Sequence, residues 1–503
     1  MDAPVTILAL TGPPPETTGD ELRALLRLAV PLAAANLLQM AVYAIDVIFV
    51  ARLGPVELAA ATLGVYLYSV MMWALSGLVG AAATVIAAEL GARRHAVRQV
   101  RRSFRMAMWL SVLATVPFLV ILAQGKRLLL LAGQDPVVAA HAGAFLHILL
   151  FAMIPSVASA AMRVTASALG RPGWATAITA LALLVNLLGN WLLVFGNAGF
   201  PALGLQGSAI SSVITSVAMM LAYIAILVID PKIRRYRLFG NWWRSEWSRL
   251  REIVKLGIPI ALIFSLEGAL FSTAGFLMGL IGVEQVGAHA LALQIAAIAF
   301  QVPFGVAQAA TIRVGMAYGA ADHRWIGRAG WVALGVGIGF MGVTASLLWL
   351  FPRLALSLYI DVDAPANAPL VALALQYLVI AALFQLFDGG QTVAAGVLRG
   401  LQDTRMPMVI AAFGYWVFGF GAFHRSGEDF AAPLRQRGVP LAGLYGSSEV
   451  QALFSLQREG LPLAQLIEGG GLPASGPAAQ VRVRDVESGV LLPPGASGEI
   501  EIR

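Results

Sequence analysis

Asp46, Glu267 and Asp388 each lie within a long apolar stretch that is otherwise almost free of charge. A carboxylate surrounded by hydrocarbon costs several kcal/mol unless it is protonated, paired or bound to a cation. Three of them in separate stretches read as a cation or proton site inside a membrane transporter. Other chemistries find little material. The chain has no Cys, which removes disulfides, thiolate metal sites and cysteine nucleophiles. Its 6 His show no metal-ligand spacing, and His147 and His289 read as packing or interfacial residues. No G-x-x-x-x-G-K-S/T loop is present to hold nucleotide phosphates, which disfavours ATP-driven transport.

The elements that must carry these acids follow from composition. Of 503 residues, 59% are hydrophobic and 12% charged, with a mean hydropathy of +0.79. Soluble domains carry about 25% charged residues, so the composition is that of an integral membrane protein. A spanning helix needs ~20 apolar residues. Eleven stretches qualify, near 28–51, 58–88, 106–124, 137–160, 174–195, 206–229, 256–281, 286–311, 329–351, 369–398 and 406–423. All are expected to be helical, because an open strand leaves its backbone unsatisfied in lipid. The first 27 residues are polar and Pro-rich without a signal-peptide core, so the first span is expected to act as the anchor.

The net charge of +7 does not point to nucleic acid, because the basic residues sit in loops between spans. Arg23 and Arg27, the Arg93–Arg105 cluster, the Lys232–Lys255 cluster, and Arg163, Arg171, Arg313, Arg324, Arg328, Arg399 and Arg405 fall on one side. The other side holds Arg52, Lys126, Arg127 and Arg353. The positive-inside rule then places the N-terminus in the cytoplasm.

The chain also repeats itself with an offset of 228 residues. Leu28-Ala-Val-Pro31 matches Leu256-Gly-Ile-Pro259, Gly54 matches Gly282, and Gly91 matches Gly319. Leu169-Gly-Arg-Pro172 resembles Leu401-Gln-Asp-Thr404 at an offset of 232. Six spans separate the copies. An even number makes the repeats parallel, and such halves bind substrate between them and rock about it. The expected fold is an all-α polytopic membrane protein of two pseudo-symmetric helical lobes, six spans plus five. Residues 1–27 form a cytoplasmic segment, 28–229 the N-lobe, 230–255 a basic cytoplasmic linker and 256–423 the C-lobe. Residues 424–503 are a short β-rich soluble fragment.

The motifs Ala44-Ile-Asp46-Val-Ile-Phe-Val-Ala-Arg-Leu-Gly54, Leu266-Glu267-Gly, Phe387-Asp388-Gly-Gly-Gln391, Gly396-Val-Leu-Arg399-Gly400 and Asp403-Thr404-Arg405 together resemble the MATE family of multidrug and toxin extrusion transporters. Within it the resemblance is to the NorM-like branch, over residues 20–421. It implies an ion-coupled exporter of amphipathic or cationic drugs in a bacterial inner membrane, a monomer contacting lipid and drug but no nucleic acid. No cofactor is implied beyond Na⁺ or H⁺ as coupling ion. Asp46 matches the family's N-lobe carboxylate, and Asn186 and Asn190 its polar partners, their i, i+4 spacing sharing one helix face. Glu267 and Asp388 match the C-lobe acids of the NorM branch, so Na⁺ is expected at that pair or at Asp46, where oxygen ligands suit a hard cation. Gln39, Tyr43, Met71, Gln294, Gln301 and Gln391 are weaker candidates for a drug cavity. Glu89, at a helix end beside the arginine loop, reads as a surface ion pair. A lipid-linked oligosaccharide flippase of the same superfamily is the alternative, although such cavities tend to be rich in basic residues.

The resembled family has a twelfth span, and none follows here. From about 431 the chain resembles a fragment of an adenylate-forming enzyme of the acyl-CoA synthetase superfamily. The marks are Leu444-Tyr-Gly-Ser-Ser-Glu449, Gly469-Gly-Gly-Leu-Pro473 and Asp485-Val-Glu-Ser-Gly489. That resemblance would give Tyr445, Gly446, Ser448 and Glu449 to an AMP and Mg²⁺ motif. Its phosphate loop and catalytic Lys have no counterpart, so the fragment is expected to be inactive, a chimeric addition rather than a membrane-tethered AMP-binding ligase.

Overall fold

The computed structural model describes residues 16–92 and 96–414, together with five short strands between 444 and 502. Its helices in the first half are α1 (Thr18–Ala51), α2 (Pro55–Ala92), α3 (Ala96–Leu113), α4 (Thr115–Ala123), α5 (Gly125–Leu131), α6 (Pro136–Ala168), α7 (Gly173–Leu193), α8 (Leu205–Ile229) and α9 (Pro231–Arg234). The second half contributes α10 (Trp247–Ile281), α11 (Val283–Gly319), α12 (His323–Leu350), α13 (Pro352–Ser357), α14 (Ala368–Gly400) and α15 (Arg405–Ala412). Ten candidate spans are found among the described residues, with α3 and α4 together making the third. They correspond to the first ten expected from sequence. The eleventh, expected at 406–423, begins as α15, and from 415 onward it lies outside the described residues.

Most helices run longer than the apolar stretches that betrayed them. Helix α1 starts at Thr18, ten residues before the apolar run, because Thr17 caps it by accepting from Asp20 N–H at 3.1 Å. Asp20 and Glu21 follow in its first turn, where the helix dipole favours acids. Helix α10 likewise begins at Trp247, inside the basic linker. Hydropathy locates only the part of a helix that meets hydrocarbon; the capped polar turns continue into the headgroup region.

One compact unit comprises residues up to Gly268 with Ala288–Val409. Within it α6 packs on α2 and α8, α7 on α1 and α8, and α12 on α14. Glycines bring the helices close: a Cβ at Gly207 would meet the Leu193 carbonyl oxygen at 2.3 Å. The second unit comprises 269–287 and the chain from 410. Here β1 (Leu444–Ser447), β2 (Ala452–Leu456) and β3 (Leu472–Pro473) form an antiparallel sheet, and β4 (Val481–Arg484) pairs antiparallel with β5 (Glu499–Ile502). Tyr445 and Gly446 lie in β1, whereas Ser448 and Glu449 fall outside the described residues.

The 228-residue repeat has a direct structural expression. A Cβ on Gly91 of α2 would meet the Met316 carbonyl oxygen of α11 at 1.9 Å, and one on Gly319 of α11 would meet that of Ala88 in α2 at 1.9 Å. One on Gly77 of α2 would lie 3.0 Å from Ala261 of α10, and one on Gly305 of α11 2.7 Å from Ala33 of α1. Adding 228 to each residue of one contact gives its counterpart. Two parallel repeats facing each other across a twofold axis produce this reciprocity. The helix ends repeat too: Gly170 after α6 and Gln402 after α14 both adopt positive φ, 75° and 62°.

The arginine-rich helix ends and the linker form one basic face. Arg105 pairs with Glu246 at 2.5 Å and donates to the Asn241 carbonyl, Arg102 also pairs with Glu246, and Arg101 donates to the Tyr236 carbonyl. Asp230 caps α9 and receives hydrogen bonds from Trp174 and Arg171, both at 2.9 Å. Burial pushes its carboxyl up, but the bonds from Trp174, the Lys232 N–H and Arg171 outweigh that and hold it below the usual carboxylate range. A depressed pKa contributes stability that is complete above the unfolded value, about 3.9, and is lost as pH falls through the lower folded value. The melting temperature of the native chain should therefore fall more steeply below about pH 4 than that of Asp230→Asn. Parallel pH profiles in thermal unfolding would reject this role for Asp230.

Candidate functional site

The site is built around Asp46, near the end of α1 away from the basic face. Helices α7 and α8 bring its partners. Asn186 and Asn190 stand one turn apart on α7 and both are buried. Asn186 Nδ2 donates to Asp46 Oδ1 at 3.0 Å and Asn190 Nδ2 to the same oxygen at 2.8 Å. Ser212 of α8 donates to Oδ2 at 3.4 Å. Ser211 fixes the α7 backbone from the other side by donating to the Asn186 carbonyl at 3.1 Å. Each oxygen of the carboxylate thus has a donor, and no basic side chain is among these partners.

Ser212 was not singled out by sequence. The signal was present as a polar strip in the sixth span, Ser208, Ser211, Ser212, Thr215 and Ser216, but hydroxyls in membrane helices commonly bond their own backbone. Thr215 and Ser216 do so, donating four residues back at 2.8 Å each. Only the packing of α8 against α1 distinguishes Ser212 from its neighbours. The Asn190 carbonyl oxygen Oδ1 is buried without a partner among the described residues. It and the carboxylate are hard oxygen donors of the kind a small cation takes.

Beyond Asp46, Phe49 of α1 and Phe195 lie with ring centroids 5.6 Å apart. With Arg52, Trp191 and Asn197 they line a cleft of about 360 Å³.

In the second repeat, Glu267 lies on α10 and Asp388 on α14, each within a candidate span. Arg399, on the basic-face end of α14, lies over the Phe264 ring of α10 at 5.2 Å. One turn before Asp388 stands Gln385, 2% exposed, with both amide atoms lacking a partner among the described residues. Sequence reasoning passed over it because an isolated Gln in a span is unremarkable; its burial is a tertiary fact.

The cavity candidates are scattered in environment. Tyr43 is 46% exposed on α1, one turn from Asp46. Gln39 is half-buried, whereas Gln294 and Gln391 are exposed. Gln301 donates to its own helix at Ala297 O, 3.1 Å. Met71 is 7% exposed within the main hydrophobic core. His147 bonds the Gly143 carbonyl at 2.7 Å, and His289 Nε2 is buried without a partner among the described residues. Glu89 is no surface pair: its side chain is 10% exposed and bonds Arg249 at 2.9 Å. The reason is that α10 begins early enough to lay Arg249 against α2.

A sequence profile of the MatE family matches residues 31–192 and again 259–421. The chain belongs to the MatE family. The two matches start 228 residues apart, the offset of the internal repeat. Among relatives of this MatE chain, "Probable multidrug resistance protein NorM" of Mesorhizobium japonicum is 46% identical over 399 residues, 79% of this chain and 85% of the relative. The Brucella suis protein of the same name is 42% identical over 401 residues, 80% and 85% of the two chains. A solved structure described as the outward-facing conformation of a multidrug resistance MATE family transporter superposes with a TM-score of 0.74 at 18% identity, covering 86% of this chain and 92% of that one. At that identity the likeness speaks for the fold.

Proposed function

We propose that this MatE chain is a secondary active exporter of amphipathic or cationic drugs, driven by inward movement of Na⁺ or H⁺ across a bacterial inner membrane, with its N-terminus in the cytoplasm. The observation that carries the reading is the Asp46 carboxylate, held inside a span by Asn186, Asn190 and Ser212, with no cationic side chain bonded to it among the described residues. Such a group accepts a proton or a small cation directly. Neutralised, it no longer demands all of its donors, and the α1–α7–α8 contact can shift. Na⁺ would draw on the carboxylate and the Asn190 amide oxygen; a proton would need only the carboxylate. Glu267 and Asp388 are a second ion-responsive pair, with Gln385 beside them. The NorM names of the relatives support drugs as substrates, and the basic face supports the cytoplasmic N-terminus.

Residues from about 431 read as a fragment resembling an adenylate-forming enzyme, supported by the Leu444–Glu449 and Gly469–Pro473 motifs. That fragment is expected to show no ATP–pyrophosphate exchange.

Ethidium efflux from drug-sensitive cells expressing the chain, with and without an imposed Na⁺ gradient, tests the proposal. Export that collapses on dissipating the Na⁺ or proton gradient is the expected result. Export that persists without either gradient overturns ion coupling, and no export with the protein present in the membrane overturns the drug-export reading.

A further inference from the structure

We propose that two ion pairs, the buried Glu21–Arg313 and the part-buried Arg249–Glu89, form a pseudo-symmetric lock that holds the two repeats together at the basic face and must break for that face to open. In the first pair Glu21 of α1, 0% exposed, receives Arg313 Nε at 2.8 Å and Nη2 at 2.7 Å from α11. Trp325 of α12 donates its indole N–H to the same carboxylate at 3.0 Å, and its ring lies 5.2 Å below the guanidinium. A two-pronged Arg–carboxylate contact with a stacked ring is among the better-defined polar geometries available to a protein. In the second pair Arg249 of α10 bonds Glu89 of α2 at 2.9 Å and Gln99 of α3 at 3.0 Å, Ser103 donates to Glu89 at 2.9 Å, and Arg249 also pairs with Glu252 of its own helix at 2.8 Å.

The two pairs are related by the internal repeat. Position 249 is position 21 plus the 228-residue offset. Each occupies the first turns of its repeat's leading helix, and each reaches across to the second and third spans of the other repeat. The charge is reversed: an acid reaches to a base in one, a base to an acid in the other. Reversal lets two equivalent locks share one face without placing like charges opposite each other across the axis. Between them run the glycine contacts at Gly91–Met316 and Gly319–Ala88. A buried pair contributes modestly to stability while intact, but losing one partner strands the other charge in an apolar contact. When the repeats part, both members meet water together. Such a contact favours one closed position strongly and tolerates a fully open one, which is what a two-state gate requires.

The test uses the absence of native Cys. Thr84→Cys on α2, 1% exposed and with its backbone carbonyl packed toward Gly315 of α11, reports opening between the repeats. Ser159→Cys on α6, 2% exposed inside the first repeat, reports general loosening. Each full-length reporter is alkylated with a membrane-impermeant sulfonated maleimide in inside-out vesicles. Glu21→Gln is expected to raise labelling of Cys at 84 roughly tenfold, Glu89→Gln, which leaves Arg249 its Glu252 partner, by a smaller factor of about two to five, and neither to raise labelling of Cys at 159. Trp325→Phe keeps the stacked ring and removes one donor. It should raise labelling about two- to fivefold and serves if the charge variants do not fold. Unchanged labelling at 84 in the variants, or an equal rise at both reporters, overturns the lock. Because cytoplasmic placement of this face rests on the proposed function, right-side-out vesicles are labelled in parallel. A rise confined to them keeps the lock and overturns that orientation. No drug or ion gradient enters the assay, so failure to export drug leaves its result intact.

Discussion

Asp46→Asn is expected to reduce ethidium export to the level of cells lacking the protein, with membrane expression retained. The substitution preserves shape and volume and removes only the ability to carry charge and exchange a proton. In the native site two amide N–H groups and one hydroxyl converge on the carboxylate. An asparagine at 46 offers one acceptor oxygen and an NH₂ group with two donors, so Asn186 and Asn190 keep part of their bonding and the helices remain packed. A coupled exporter with its ion-responsive group fixed as neutral still binds drug but cannot tie its release to a gradient. The comparison that sharpens the test is Asn190→Ala. Removing that donor leaves the carboxylate titratable at a cost of about 1–3 kcal/mol for the lost buried partner, so export should fall by one to two orders of magnitude without vanishing. Near-normal export by Asp46→Asn would remove Asp46 from the coupling mechanism altogether. The C-lobe pair Glu267 and Asp388 would then be the place to look.

Gly319→Ala is expected to lower the melting temperature of the purified protein by several degrees and to reduce export about tenfold or more. Judged locally the change should be favourable, since Ala in a helix is preferred to Gly by ~1 kcal/mol. The sign is set instead by what the new Cβ meets: the Ala88 carbonyl oxygen at 1.9 Å, its carbon at 2.6 Å and its Cα at 2.8 Å. All three are backbone atoms, so no side-chain rotation relieves the clash, and α2 must move away from α11. Gly91→Ala meets the same obstacle from the other repeat, at the Met316 carbonyl oxygen, and should behave alike. Gly339 on α12 faces open space; Gly339→Ala should leave melting and export unchanged or slightly improved. If the two interface variants melt and export like Gly339→Ala, the close approach of the repeats does not matter to the transport cycle.

Much of this architecture was legible before any coordinates. Ten of the expected spans appear as helices, because a stretch of ~20 apolar residues has few alternatives in a membrane. The repeat was visible in Pro31 and Pro259 and in Gly91 and Gly319, and the glycine pair turned out to lie at the axis itself. Asn186 and Asn190 could be placed on one face by spacing alone, and that face meets Asp46. What sequence misjudged were helix ends and charged residues near them. Glu89, Arg249, Glu21 and Arg313 look like ordinary headgroup-region charges, since local composition cannot say what lies opposite.

The sequence by itself therefore determined that the chain crosses a membrane repeatedly, that it does so as two parallel copies, and that its intramembrane acids are exceptional. These properties follow from hydrophobicity and periodicity, which are local. Tertiary structure alone decided that Ser212 completes the Asp46 site, that the Gln385 amide is buried beside Asp388, and that Glu21 finds Arg313 292 residues away. Each depends on the burial and pairing of groups on different helices, and the free energy of a polar group in a membrane protein is set by its neighbour rather than by its own stretch of chain.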